Sequence, residues 1–533
     1  MIVTEGKVVS EDHSHETKSW TFEEAISATR FGLFNILLLA VTAVWFTSSL
    51  AQTTMPGLIL PVAQCDLELD LDRKGWVTSM VFFGMIFGAS IWGILGDIYG
   101  RRIIITGGLF LLGLINFLYG FSSSYYMLVT LNFFGGIVAS GPVAAYPIFV
   151  SEFHGVQYRA RIVIFICTFI SAGAIIVTAL ALLILTKTIS FTIGSMEFHS
   201  WQVFFWACST FGFLGGFLAM MLPESPKFLM SQGRNEEALK VFQLIYRLNT
   251  RKSSDSYSIN NLKNESQSNN VVHSSELAGE MGENNAPKNP STPSTIFRKA
   301  FAQFQPLFKP LYMKNCLLAG FIEFFMLFGT NTMRSWMPQM FALLSTADSS
   351  TESDLCESLT PKTGQSLGRI FANESSDKVC EVLNDSSIYV NSIIVQSVGV
   401  VAVLIAVYLV TFIGNKIILI GVNMIAGLAT LLIYFAPNSV IIVVFYSLSV
   451  GLGMGAQASY VSIVSNLVPT AIRFTVMSIS VILGRLGSMV GNLVFPSLLK
   501  LGCWQPFGVM AFAYLVTAVL CCFLPKTTKK PLQ

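Results

Sequence analysis

At 533 residues, 53% of them hydrophobic and only 12% charged, the chain falls outside the range of soluble proteins, in which about a quarter of residues are charged. The net charge of +3 says little about partners by its sum; its distribution along the chain is the informative quantity, and no nucleic-acid partner is expected. Nine cysteines lie scattered without metal-ligand spacing, most of them in apolar runs where a thiol behaves as a small hydrophobe, so neither a metal nor a cofactor is expected.

Residues 1–30 form a polar, partly acidic tail without the short apolar core of a signal peptide, so the first span is expected to act as the insertion signal. About 20 apolar residues suffice to cross a bilayer. Twelve such stretches are predicted, over 31–52, 76–96, 103–121, 126–150, 162–185, 201–222, 315–342, 388–412, 417–435, 440–464, 474–499 and 504–524. Between the second and third lies Gly96-Asp97-Ile98-Tyr99-Gly100-Arg101-Arg102, a tight, doubly basic turn. The positive-inside bias places Arg101 and Arg102 in the cytoplasm. Arg159, Arg161, Lys227, Arg234, Lys416 and Arg473 fall on the same side, whereas Asp66, Glu68, Asp70 and Asp72 fall outside. An even number of crossings leaves both termini cytoplasmic.

Two hydrophilic insertions interrupt the spans. Residues 223–314 form a cytoplasmic linker that opens Pro223-Glu224-Ser225-Pro226-Lys227. Ala238, Leu239, Phe242, Ile245 and Leu248 then mark a short helix, and an Asn/Ser-rich stretch from 250 to 295 reads as disordered. Residues 343–387 form an outer loop with Cys356, Cys380 and the glycosylation sequons at Asn373 and Asn384. In an oxidising compartment the two cysteines could close a loop worth roughly 3 kcal/mol.

The two halves echo each other. Glu152 and Arg159 follow the fourth span, and Asn466 and Arg473 follow the tenth at the same separation. Pro223 ends the sixth span and Pro525 the twelfth; Gly414-Asn415-Lys416 is a reduced counterpart of the Gly96–Arg102 turn. The predicted organisation is an N-terminal six-helix bundle (31–222), the linker, a C-terminal six-helix bundle (315–524) and a cytoplasmic tail (525–533). Paired repeats of this kind are a transporter arrangement, with the solute site between them near mid-bilayer.

With these motifs in place, Gly96-Asp97-Ile98-Tyr99-Gly100-Arg101-Arg102 resembles the signature loop of the major facilitator superfamily. Glu152 with Arg159, and Pro-Glu-Ser-Pro-Lys after the sixth span, resemble its sugar-porter-like branch. Phe198-His199-Ser200-Trp201, Ser151-Glu152-Phe153 and Trp336-Met337-Pro338 are similar to the synaptic vesicle glycoprotein 2 family and its insect relatives. The resemblance implies an all-α membrane protein with twelve helices in two pseudo-symmetric bundles, rocking by alternating access. It implies a cytoplasmic gate built from Asp97, Arg101, Arg102, Glu152, Arg159, Glu224 and Arg473. Where related chains carry an acid in span one and an arginine in span four, this chain has no acid and Asn132. Asn466 stands where a gate glutamate is expected, which weakens a transfer of proton coupling.

Charges at bilayer depth are costly and usually face a cavity or a partner. In the seventh span Glu323 and Arg334, eleven residues apart, lie about 20° apart around the helix and roughly 16 Å along it, with Thr330 on that face. The eleventh span repeats the pattern with Ser478, Arg485 and Asn492, and the first with Asn35, Thr42 and Ser49 beside Trp45. Gln457, Tyr460 and Tyr146 complete the candidate cavity. Glu323 and Arg485 fit either a cavity or a structural pair; the span-one hydroxyls fit packing. Gly84, Gly88, Gly484, Gly487 and Gly491 fit close helix contacts. No nucleophile–base pair, metal cluster or phosphate loop points to an enzyme. The expectation is a monomeric secondary transporter of a small polar or charged organic solute, in the plasma or a vesicle membrane. A transport-silent receptor or scaffold is the alternative.

Overall fold

The structure is a computed structural model that describes residues 19–194, 196–263, 310–345, 384–467 and 470–525. A few side chains inside its helices, those of Asp97, Arg161, Asn466 and Arg473 among them, lie outside the described set. The order of elements is α1 (Phe22–Ala28), α2 (Leu33–Ile59), α3 (Leu71–Tyr99), α4 (Arg101–Tyr119), α5 (Tyr125–Glu152), α6 (Val156–Leu185), β1 (Ser190–Ile193) and β2 (Met196–His199). Then follow α7 (Ser200–Met220), α8 (Pro226–Ser231), α9 (Asn235–Thr250), α10 (Pro310–Ser345), α11 (Ser386–Ile413), α12 (Asn415–Leu432), α13 (Ser439–Leu467), α14 (Thr470–Leu501) and α15 (Trp504–Cys522).

The helices α2–α7 and α10–α15 are the twelve predicted spans. Eleven of them are long and apolar enough to cross a membrane; the other, α3, opens with Asp72, Arg73 and Lys74. Observed ends differ from the apolar runs where polar residues stay helical. The first helix continues through Gln52, Thr53, Thr54 and Pro56 to Ile59 because all four are buried. Between α6 and α7 a short antiparallel hairpin pairs Ser190 with His199 and Ile193 with Met196, an element absent from the apolar pattern.

Chain contacts divide the described protein into two compact units. One gathers residues up to Leu37, Glu152–Arg159 and the linker from Glu224. There Thr21 and Glu24 form a capping box on α1, and Phe22 packs on Phe242 of α9. The linker stays ordered further than its composition predicts. Buried Tyr257 donates to the Ala25 carbonyl at 2.7 Å, and the Trp20 carbonyl accepts from Lys263 N–H at 2.8 Å. Polar composition is thus compatible with order when a neighbouring segment supplies partners. Residues 264–295 of the expected disordered stretch lie outside the described set.

The other unit holds the membrane helices. Its two halves repeat each other in backbone as well as sequence. Gly100 before α4 has φ 91° and ψ 163°, and Gly414 before α12 has φ 90° and ψ 147°, a region that disfavours a side chain. Two residues beyond each glycine sits a cation that caps the last helix of its own half. Arg102 donates to the Met220 carbonyl at the end of α7; Lys416 donates to the Cys522 and Leu524 carbonyls at the end of α15. These unsatisfied C-terminal carbonyls and the negative end of the helix dipole favour a cation there.

Small residues set the helix approaches. A Cβ on Gly84 would fall 2.0 Å from the Phe133 carbonyl oxygen, and one on Gly88 2.3 Å from that of Ile137, so α3 and α5 meet backbone to backbone. On the other side a Cβ on Gly487 would fall 2.2 Å from the Phe324 carbonyl, and one on Gly484 2.6 Å from Glu323 Cγ. The close contacts expected of these glycines, and of Gly491 against Thr332, are therefore present.

Candidate solute site and gate residues

The tight passage of Gly484 and Gly487 along α10 presses α14 against Glu323. Glu323 is 1% exposed; its Oε1 accepts from Gln457 Nε2 of α13 at 2.7 Å, and its Oε2 has no protein partner. Gln457 Oε1 also has none. Arg485 of α14 lies within electrostatic reach of both Glu323 and Arg334. Among the described residues it makes no direct ion pair with Glu323, whose carboxylate accepts from the glutamine instead. Among the described residues Arg334 makes only a long contact, 3.5 Å from Nη2 to Thr53 Oγ1 of α2. Three charged groups thus gather on facing sides of α10 and α14.

Other predicted cavity residues turn to packing. Thr330 accepts from Tyr514 of α15 at 3.2 Å, so it looks away from the Glu323–Arg334 face. The Tyr460 hydroxyl donates to the Ala319 carbonyl at 2.8 Å, tying α13 to α10. Asn492 Nδ2 donates to the Ser488 carbonyl within α14, leaving Oδ1 without a protein partner. In the first half, Trp45 Nε1 donates to the Gly215 carbonyl at 3.1 Å, its ring packs on Tyr146 and Phe149, and the Tyr146 hydroxyl bonds Ser49. Thr42 donates to Leu38 of its own helix, and Asn35 donates to the Phe153 carbonyl. Helical spacing shows which residues share a face but not what that face meets.

Three polar systems were not singled out by sequence. Gln52 Nε2 donates to the Tyr119 hydroxyl at 2.7 Å, which donates to Asn132 Oδ1 at 2.9 Å, linking α2, α4 and α5. The substitution at Asn132 thus belongs to a neutral chain. Lys74, fully buried, donates to Gln64 Oε1 and to Gln339 Oε1 of α10, each at 2.9 Å. Gln396 of α11 donates to Thr178 of α6 at 2.7 Å. A lysine and glutamines beside apolar runs were the available signal, but the drawn edge of the second span excluded Lys74.

The Lys74 and Gln396 contacts cross between the two halves near the end that carries the β-hairpin. There Lys500 pairs with Asp72, and a Cβ on Gly57 would fall 2.4 Å from the Ser335 carbonyl. One apolar cluster joins Met55, Leu58 and Phe205 of the first half to Met333, Trp336 and Phe495 of the second. The Phe198–Trp201 motif is explained here: Asp66 accepts from Trp201 Nε1 at 2.6 Å and pairs with His199 at 3.0 Å. Among the described residues, the two halves are therefore in contact at this end.

Of the predicted gate residues, Glu152, Arg159 and Glu224 lie in the smaller unit. Buried Glu152 accepts from the Ser225 hydroxyl, and Glu224 accepts from the Ser225 N–H at 2.9 Å. Ser225 in turn caps α8 by accepting from Phe228 N–H. Arg159 reaches Glu23 of α1 in a bidentate pair at 2.8 and 3.0 Å. Glu23 had no motif to mark it. Arg101 opens α4 and Arg102 caps α7; the side chains of Asp97 and Arg473 lie outside the described set, as do Cys356, Cys380 and Asn373. Asn384 sits two residues before α11. Cys65 and Cys503, not singled out by their spacing, are disulfide-bonded; Cys208, Cys316, Cys521 and Cys522 are free.

Comparison with known proteins adds three findings. The family model described as "Sugar (and other) transporter" matches residues 38–282 and 372–533. Synaptic vesicle glycoprotein 2C of Mus musculus is 28% identical over 232 residues, 43% of this chain and 32% of that protein. Synaptic vesicle glycoprotein 2A of Rattus norvegicus is 24% identical over 332 residues, 61% of this chain and 44% of that protein. The matched stretch is less than half the length of either relative. The partially occluded inward-open xylose transporter XylE from E. coli shares the fold. Its TM-score is 0.63 at 16% identity, covering 94% of this chain and 100% of that one.

Proposed function

The chain belongs to the sugar (and other) transporter family, is related to the synaptic vesicle glycoprotein 2 proteins, and has the twelve-helix major facilitator fold; on that premise we propose that it moves a small polar organic solute across a membrane by alternating access. The carrying observation is Glu323. A carboxylate at mid-span with one oxygen lacking a protein partner is an expense that a merely structural helix avoids. Two structural neighbours are a xylose transporter and a D-xylose–proton symporter, which supports solutes bearing several hydroxyls.

We further propose that the hairpin end faces outward, with both termini cytoplasmic, so that the packing of Met55, Leu58, Trp336 and Phe495 closes the outer side. Contacts formed in one state and broken in the other bias such an equilibrium. Gate roles for Asp97, Arg101, Arg102, Glu152, Arg159, Glu224 and Arg473, a monomeric state, glycans at Asn373 and Asn384, and a plasma- or vesicle-membrane address belong to the same proposal. Purified protein in liposomes tests it. Saturable solute flux supports a carrier, whereas unsaturable conductance or no flux rejects it.

One observation favours a transport-silent binding protein. The neutral Gln52–Tyr119–Asn132 chain fills the first half where related chains carry charge. Partner capture without flux would select that reading.

A further inference from the structure

We propose that the solute is an organic anion, a small carboxylate that also carries hydrogen-bond donors, held between α10 and α14. The assignment rests on the transport reading and names the substrate class of that same site. Two guanidinium groups, Arg334 and Arg485, share the patch with one carboxylate, Glu323, which leaves one positive charge uncompensated among the described side chains there. Arg334 and Arg485 are partly exposed, so their guanidinium groups are open to a solute, and unlike charges attract strongly where water is restricted. Each guanidinium offers five N–H donors in a planar fork. Arg334 uses one of these in a 3.5 Å contact to Thr53, and Arg485 has no hydrogen bond or ion pair to a described residue. That fork matches a carboxylate in a bidentate geometry, which a polyol hydroxyl does not reproduce.

The charge count discriminates among solutes. A cationic solute would raise the local charge to two, a neutral sugar would leave it at one, and a monoanion cancels it. The remaining unpartnered atoms fix the other end of the solute. Glu323 Oε2 and Gln457 Oε1 are acceptors, buried and without a protein donor. They call for hydroxyl or ammonium hydrogens on the solute, set apart from its carboxylate. A hydroxy acid or sugar acid supplies both.

The test uses the full-length protein, purified and reconstituted, with D-gluconate, D-glucose and D-glucosamine as probes of matched carbon skeleton, and L-lactate and glutarate to vary size. D-gluconate or L-lactate should raise the melting temperature and enter vesicles saturably, with glucose, glucosamine and the donor-free dianion glutarate at least about tenfold weaker. Arg485→Gln should lower the affinity for that carboxylate about tenfold or more, and Arg485→Lys should recover part of it. Size-exclusion profiles establish that each variant is folded; where Arg485→Gln is not, Arg334→Gln carries the same expectation. Preference for glucose, glucosamine or glutarate, or unchanged carboxylate affinity in a folded arginine variant, overturns the assignment and leaves transport intact. If no probe shifts the melting temperature or crosses the membrane, the transport reading and the assignment fall together.

Discussion

The two halves of the membrane unit match at their ends and differ at mid-depth. In the first half, Gln52, Tyr119 and Asn132 form a neutral chain, and Trp45 and Tyr146 spend their polar atoms on neighbouring helices. In the second, Glu323, Arg334 and Arg485 place three charges among two helices. Buried polar atoms without a protein partner remain in both, Gln52 Oε1 and Asn132 Nδ2 in the first and Glu323 Oε2 and Gln457 Oε1 in the second, so the charges are what differ. A duplicated scaffold needs the same turns and the same close helix approaches in both copies, because those decide whether each bundle forms. It does not need the same chemistry at its centre. Neutral groups are satisfied by ordinary hydrogen bonds, whereas a charge taken out of water needs an opposite partner or strong hydrogen bonds such as those Lys74 makes. The asymmetry fits the proposed division, with scaffold in one half and the proposed solute contact in the other.

The largest effects should be blind to that asymmetry. Gly84→Leu and Gly487→Leu each drive a side chain into a carbonyl oxygen that a Cβ alone would meet at 2.0 and 2.2 Å. Overpacking costs about 1–3 kcal/mol where the surroundings can yield, and backbone yields least. Both variants should lose the monodisperse size-exclusion peak. Survival of one alone would mean that the halves are not equally built.

The next effect should respect it. Glu323→Gln keeps a similar shape and an acceptor oxygen but removes the charge, so uptake should fall about tenfold or more while the folded yield is unchanged. Tyr119→Phe interrupts the neutral chain of the first half and should cost about 1 kcal/mol of stability, with uptake within about twofold of the parent. A melting curve and an initial rate on each variant suffice. Equal losses of uptake from the two substitutions would erase the division of labour.

Much of this was legible in advance, and the boundary is physical. Hydropathy located the twelve helices because a bilayer imposes one requirement on every residue of a span. The Gly100 and Gly414 turns were visible because only glycine adopts that backbone cheaply. Glu323, Arg334 and Arg485 announced themselves as charges in apolar runs. What spacing could not supply was the neighbour. Thr330 shares a face with Glu323 by periodicity yet bonds Tyr514, and Tyr460 bonds a backbone carbonyl. Lys74 was hidden by a span edge drawn at the end of hydrophobicity, although a lysine between two glutamine oxygens can stay helical and buried. Glu23 pairs with Arg159 across 136 residues of chain, a separation no local pattern encodes.

The smallest effect tests the equivalence of the ends. Arg102 and Lys416 stand two residues beyond matching glycines and donate to the last carbonyls of α7 and α15. A cation at a helix C-terminus contributes typically about 0.3–1 kcal/mol, less where salt and water screen it. Arg102→Gln and Lys416→Gln should therefore each lower the melting temperature by a few degrees or less, and by similar amounts, while the gate role proposed for Arg102 should slow uptake in the first variant alone. Added salt should shrink both differences together, since the same dipole and the same screening act on each. If Arg102→Gln leaves uptake at the rate of Lys416→Gln, the gate role proposed for Arg102 falls and the two turns are equivalent caps; if it alone slows uptake, the ends of the two halves are no more equivalent than their centres.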